Sequence, residues 1–162
     1  MKLTFGDIWN TKYDDHWRVI PTNLGWDRKG HNIMGAGLAK QAADRYPVLP
    51  KEYGKVCQEM RDNPVLYIAE EQKLILLGTK PLRRQAPHLS WMNKADLGLI
   101  ERMLGLLVHW AGEYDYPKII VPLLGAGLGK IYLSDLLPVM EKYLLRYENF
   151  TLIYADDKGV ER

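Results

Sequence analysis

The chain has 162 residues, 47% hydrophobic and 26% charged, with a formal net charge of +2. Those values favour one globular domain with one core and carry no general polyanion signal, leaving a local patch as the route to any nucleic acid. The single cysteine, Cys57, excludes a disulfide framework and a cysteine-rich zinc site, and no apolar run approaches the roughly 18 residues of a membrane span.

In chain order, Leu3–Phe5 reads as a short strand ending at Gly6-Asp7. These first residues turn polar too early for a signal peptide, so a cytoplasmic protein without membrane contact is expected. Trp17–Pro21 is a second strand, closed by a proline that cannot donate to a ladder. Thr22–Asn32 reads as a loop, Ala36–Arg45 as a helix stopping before Pro47, and Lys51–Arg61 as a helix with Tyr53, Val56 and Met60 on one face. Val65–Ala69 and Lys73–Leu77 are strands, and Gly78–Trp91 is a basic, proline-containing loop. Asn93 is positioned to cap a long helix to about Ala111, with Leu97, Ile100, Leu104, Leu107 and Val108 at helical spacing. Lys118–Pro122 is a buried strand, Ser134 a cap for a helix through about Arg146, and Thr151–Tyr154 the last strand. Strands alternating with helices predict an α/β fold with a mixed, largely parallel sheet flanked by helices. The four histidines, His16, His31, His88 and His109, show no metal-ligand spacing, so no metal is expected.

Two glycine-rich turns, about 90 residues apart, share the core Gly-Ala-Gly-Leu. The first is Asn32-Ile33-Met34-Gly35-Ala36-Gly37-Leu38-Ala39, and the second is Val121-Pro122-Leu123-Leu124-Gly125-Ala126-Gly127-Leu128-Gly129-Lys130. Glycines at strand ends allow positive φ and close ligand approach. A following helix offers free N–H groups and a positive dipole end. Two such turns facing each other form a cradle suited to a diphosphate. Neither turn matches a Walker A loop or a dinucleotide fingerprint.

With these turns, the chain resembles a macro domain, the ADP-ribose-binding fold, over nearly its whole length (residues 1–162). The resemblance implies a three-layer α/β/α architecture. Gly6-Asp7-Ile8 is similar to the family's opening motif, which implies that Asp7 accepts from the adenine amino group, with Ile8 beside it. Val19-Ile20-Pro21-Thr22-Asn23 is similar to the strand whose terminal asparagine faces the distal ribose, a role that falls on Asn23. Gly35, Ala36, Gly37, Leu38 and Ala39 correspond to the first ligand loop. Gly125, Ala126, Gly127, Leu128 and Gly129 correspond to the diphosphate loop. Tyr154-Ala155-Asp156 stands where an adenine-packing residue is common, which implicates Tyr154.

The Met-Gly-x-Gly form of the first loop, and Gly78-Thr79-Lys80 at the end of a strand, resemble the terminal ADP-ribose glycohydrolase and DarG antitoxin branch. By that resemblance Lys80 acts on C1″ of the distal ribose. A neutral lysine amine can attack such a carbon. A free lysine is mostly protonated at neutral pH, and Arg83 and Arg84, with partial burial, are the expected means of lowering its pKa. Protein-directed members carry an aspartate where this chain has Gly129, which favours the antitoxin-like subgroup and leaves the proton-transfer group open between loop residues such as Asp27 and His31. Arg83, Arg84, His88 and Lys94 could meet phosphates of a DNA substrate. Trp26 and Trp91 could stack on a base.

These readings imply a monomeric, cofactor-free ADP-ribosyl hydrolase that takes ADP-ribose off a DNA base or a protein side chain. The alternatives are an ADP-ribose-binding module without catalysis and an ADP-ribose 1″-phosphatase.

Overall fold

The computed structural model describes residues 1–155. Its centre is a six-stranded sheet in the order β1-β6-β5-β2-β4-β3. The strands are β1 (Lys2–Phe5), β2 (Trp17–Asn23), β3 (Tyr67–Ala69), β4 (Leu74–Lys80), β5 (Ile119–Pro122) and β6 (Phe150–Tyr154). Helices α1 (Gly37–Arg45), α2 (Leu49–Met60), α3 (Leu97–Glu113) and α4 (Leu133–Leu144) flank it. Only β3 runs antiparallel, against β4.

Because both faces of the sheet are covered, its inner strands read as unbroken apolar runs. Strand alternation then divides them between two cores. Val19, Ile75, Leu77, Val121 and Leu152 pack against Ile100, Met103, Leu104 and Leu107 of α3 and Leu136 and Met140 of α4. Ile20, Leu74 and Leu76 turn the other way, onto Ala42 of α1 and Leu49, Tyr53 and Cys57 of α2. On that second face, Ile120 and Ile153 are covered by Ile8 and Tyr13 of the segment after β1 rather than by a helix. The result is the expected α/β/α layering.

Several boundaries differ from the sequence reading. β2 continues through Pro21 to Asn23. The N–H of Trp17 bonds Lys118 O on the β5 side, and that of Arg18 bonds Lys73 O on the β4 side. By alternation the nitrogen of Pro21 faces β5, where the pairing has already stopped at Arg18–Ile120. The missing donor therefore removes no ladder bond. β4 likewise extends to Lys80. Gly78 belongs to it, paired with Thr22, and its missing side chain lets Leu24 approach: a Cβ there would lie 2.4 Å from Leu24 Cδ2.

The long helix is capped by Asp96, whose carboxylate accepts from Leu99 N at 2.8 Å, and not by Asn93. The Asn93 amide is spent on Pro81 O and on the guanidinium of Arg83. Ser134 lies inside α4, which follows Tyr132 and ends at Leu144. The second glycine turn makes one 3-10 turn, Gly127–Gly129, and α4 begins only at Leu133. α2 starts two residues earlier than expected, at Leu49, with Pro50 in its first turn, where a missing N–H is harmless. The Gly78–Trp91 stretch, after β4, contains a 3-10 segment, Pro87–Met92.

Candidate functional site

In open α/β sheets a ligand crevice forms where neighbouring strands send their outgoing chains to opposite faces. β2 and β5 meet that condition. The chain leaves β2 for α1 and α2 on one face, and leaves β5 for α4 on the other. The two strands are paired only at Trp17–Ile119 and Arg18–Ile120, near their amino ends. Beyond their carboxyl ends lies a cavity of about 460 Å³.

Both glycine turns face this cavity. Gly35, Ala36, Gly37, Leu38 and Ala39 line it from the first turn, and Gly125, Ala126, Leu128 and Gly129 line it from the second. Asn23 and Lys80, from the ends of β2 and β4, line it as well. The turns touch across the opening: a Cβ on Gly37, whose φ is +57°, would lie 3.1 Å from Leu128 Cδ1. α1 starts at Gly37 with no side-chain cap, so its first N–H groups remain free to serve an anion at the cavity.

Gly125 has a positive φ of +79° and is enclosed. A Cβ there would meet Ile100 Cδ1 and Ile131 Cδ1 at 2.9 Å and Ala95 Cβ at 3.0 Å. The loop can therefore lie against α3 only with glycine at this position. Gly129 is excluded from carrying a side chain by a different contact: its Cβ would stand 2.9 Å from Ala95 Cβ. No carboxylate can occupy position 129 in this packing.

Asn23 is held from below. Its Nδ2 donates to Ile33 O at 2.8 Å, and its Oδ1 accepts from Gly25 N at 3.0 Å and from Asn32 Nδ2 at 3.1 Å. Asn32, 2% exposed, also donates to Asn23 O and Gly25 O. Next to it, Thr22 Oγ1 and Tyr53 Oη lie 2.7 Å apart, joining β2 to α2. Burial raises the Tyr53 hydroxyl's pKa well above the ordinary tyrosine value and pushes the Cys57 thiol up to about 12, so both stay neutral hydrogen-bonding groups. The sequence gives Asn32, Thr22 and Tyr53 no part of their own in the site. Polar residues in a loop, a strand end and an apolar helix face carry no local sign that they converge.

Among the described residues, Lys80 is the one ionisable side chain that lines the cavity. Its Nζ donates to Trp91 O at 2.9 Å. Partial burial, and secondarily the like charge of Lys130, lower its pKa below the ordinary lysine value. Lys130 thus takes the part expected of Arg83 and Arg84. Arg83 turns its guanidinium to Asn93, and Arg84 pairs with Asp62 at 2.6 Å on the surface. Neither lines the cavity, and neither do His88 and Lys94, which are exposed. Asp27 and His31 do not reach the cavity either: Asp27 Oδ1 accepts from Lys29 N and His31 N and so closes its own loop. Trp26 packs towards α2 under Arg61, whereas Trp91 lines the cavity and is 46% exposed.

Asp7, Ile8 and Tyr154 lie at the carboxyl ends of β1 and β6, outside the cavity lining. Gly6 N bonds Tyr154 O at 2.9 Å, which brings the two strand ends together. Asp7 is exposed and accepts from Trp9 N at 2.9 Å. Ile8 is buried against Ile120 and Ile153. Tyr154 is 8% exposed, with its ring 5.2 Å from that of the exposed Phe5. Gly127, at the outer bend of the second turn, has open space around it and also lies outside the lining. Asp156 lies outside the described residues.

This arrangement, a six-stranded mixed sheet between helices with two glycine turns at its carboxyl edge, is the macrodomain fold. Among solved structures the chain is similar to Thermosipho africanus DarTG in complex with ADP-ribose, with a TM-score of 0.73, 23% identity and 99% of this chain covered. The chain spans 43% of the length of that protein. It is also similar to the macrodomain of Mycobacterium tuberculosis DarG, with a TM-score of 0.72, 22% identity, and 96% of this chain and 98% of that one covered. A macrodomain from Oceanobacillus iheyensis follows the same fold at a TM-score of 0.57, 15% identity, and 97% and 84% coverage. No protein-family model and no curated protein matches the chain.

Proposed function

We propose that this protein binds ADP-ribose and hydrolyses the bond between C1″ of its distal ribose and an acceptor group. The observation that carries the reading is the placing of Lys80, alone among the ionisable groups of the described residues, in a cavity walled by two glycine turns. Similarity to a structure of DarTG in complex with ADP-ribose supports the ligand.

In this reading the second turn, together with the free N–H groups at the start of α1, holds the diphosphate. Asn23, braced by Asn32, fixes the distal ribose. The adenosine end runs towards β1 and β6, where Asp7 accepts from the adenine amino group and the exposed Phe5, backed by the buried Tyr154 and Ile8, offers apolar surface. The Lys80 amine, neutral in a larger fraction than a solvated lysine, attacks C1″ through its lone pair as the bond to the acceptor breaks. That bond's electron pair leaves with the acceptor, which takes the proton shed by Nζ. Water then adds at C1″ and displaces Nζ, releasing ADP-ribose and regenerating the amine. The Trp91 carbonyl can keep its hydrogen bond throughout, because a neutral amine still donates.

The acceptor is a DNA base or a protein side chain. Trp91, exposed at the cavity rim, offers a face for a planar group. A panel of thymidine- and guanosine-linked ADP-ribose, arginine-, serine- and glutamate-linked protein, and ADP-ribose 1″-phosphate separates these substrates. Release of free ADP-ribose from at least one glycosidic substrate is the expected result. Inactivity on every one, with ADP-ribose still bound, would replace this reading with a binding module. Cleavage of the 1″-phosphate alone would favour a phosphatase.

A further inference from the structure

The clamp between β4 and the second glycine turn brings the backbone of a second lysine, Lys130, alongside that of Lys80. Two successive amides make it. Ala95 N donates to Gly129 O at 3.0 Å, and Asp96 N donates to Thr79 O at 2.9 Å. Gly129 and Thr79 are thereby held side by side at the head of α3. Lys130 and Lys80 are the next residues of their respective segments. The backbone of Lys130 is left-handed, with φ 63° and ψ 23°, and its N–H returns to Gly127 O at 3.0 Å. The turn therefore reverses at this residue, directly after a position where Ala95 leaves no room for a side chain.

We propose that Lys130 is a positioning residue for the Lys80 amine, a neighbouring cation whose repulsion favours the unprotonated nucleophile. The proposal rests on the function proposed above and extends it to how the amine is activated. The surroundings leave this part to Lys130. Among the described residues no carboxylate lines the cavity, so none of them stabilises the Lys80 ammonium there by charge. Asp96, the nearest acid along the clamp, spends its carboxylate on the N-terminus of α3. Arg83 faces Asn93, while Lys94 and His88 stand exposed outside the lining. Towards Lys80, Trp91 supplies a carbonyl acceptor and no charge. A neighbouring cation is an established way to free a lysine nucleophile at neutral pH.

The sign follows directly. Removing a neighbouring positive charge makes protonation of Lys80 easier, so its pKa rises and the active neutral fraction at a given pH falls. The test compares wild type with Lys130→Met, which keeps length and loses charge, and Lys130→Arg, which keeps charge. Lys130 is exposed, so neither substitution disturbs the core. The acid limb of the pH profile of kcat/KM is expected to move to higher pH in Lys130→Met and to return towards wild type in Lys130→Arg. All three profiles are expected to converge on the alkaline side. Superimposable profiles for wild type and Lys130→Met would overturn the proposal.

A second readout needs no turnover. The side-chain resonances of Lys80, assigned by their loss in Lys80→Arg, are titrated by NMR in wild type and Lys130→Met. An upward shift of the Lys80 midpoint in Lys130→Met supports the role even if no substrate is cleaved. An unchanged midpoint contradicts it even if hydrolysis is confirmed.

Discussion

Lys80→Ala is expected to lose hydrolysis while keeping ADP-ribose binding. Removing a nucleophile that acts in a covalent step lowers turnover by at least about 10³-fold, whereas a side chain that only contacts bound ligand changes affinity by about tenfold per 1.4 kcal/mol. The site separates the two functions in space. The groups proposed to hold the ligand are Asn23 and the backbone of the two glycine turns, and none of them depends on the Lys80 side chain for its position. The one hydrogen bond made by Lys80 Nζ, to Trp91 O, leaves behind a carbonyl that water can satisfy, because Trp91 is 46% exposed. Single-turnover release of ADP-ribose, with calorimetric titration of free ADP-ribose, makes the comparison. Equal losses in rate and affinity would assign Lys80 to binding alone. Retained hydrolysis would remove it from the chemistry.

Gly125→Ala is expected to unfold at a lower temperature and to bind ADP-ribose at least about tenfold more weakly. Two effects add at this position. A side chain at φ +79° costs about 1–2 kcal/mol in backbone strain. A methyl group inserted 2.9–3.0 Å from Ile100, Ile131 and Ala95 adds about 1–3 kcal/mol of overpacking. For a chain of this length, each kcal/mol lowers Tm by about 2–4 °C, so the combined drop is about 4–20 °C. Relief of the clash moves the loop off α3, and with it the amides proposed to hold the diphosphate. Gly127→Ala is the internal comparison. Its φ of +65° brings the strain, but nothing lies within 4 Å of its Cβ, so its Tm should fall by less. Thermal melts and ADP-ribose titrations of both variants check this. A Gly125→Ala protein as stable as wild type would mean that the turn does not pack on α3 as described.

The central sheet was legible in the sequence because parallel strands covered on both faces must be apolar without interruption, and Leu74–Leu77 and Ile119–Val121 are. The glycine turns were legible for a related reason: few side chains tolerate a strand end that reverses closely over a cavity. Errors arose where a local signal had a distant answer. Pro21 reads as a strand terminator unless the neighbour on its nitrogen side is known to have ended its pairing. Asn93 and Asp96 are both competent helix caps, and the choice between them was decided by Arg83 and Pro81, which occupy Asn93. Arg83 and Arg84 follow Lys80 closely in sequence, yet the chain turns after β4 and carries both guanidinium groups away. Lys130, 50 positions further on, is the cation that influences the amine. The brace of Asn32 on Asn23 likewise depends on how a loop folds back beneath a strand end.

The most direct test of the central claim, that a neutral Lys80 amine faces C1″ of ADP-ribose bound in this cavity, is covalent capture. Free ADP-ribose exposes an aldehyde at C1″ in its open-chain form. A neutral amine condenses with that aldehyde to an imine, releasing water, and cyanoborohydride reduces the imine to a stable secondary amine. Peptide mapping after brief treatment of the wild-type protein with ADP-ribose and cyanoborohydride should find the first adduct on Lys80, with the exposed lysines modified far more slowly. Modification spread over surface lysines, with Lys80 no faster than the rest, would contradict the account.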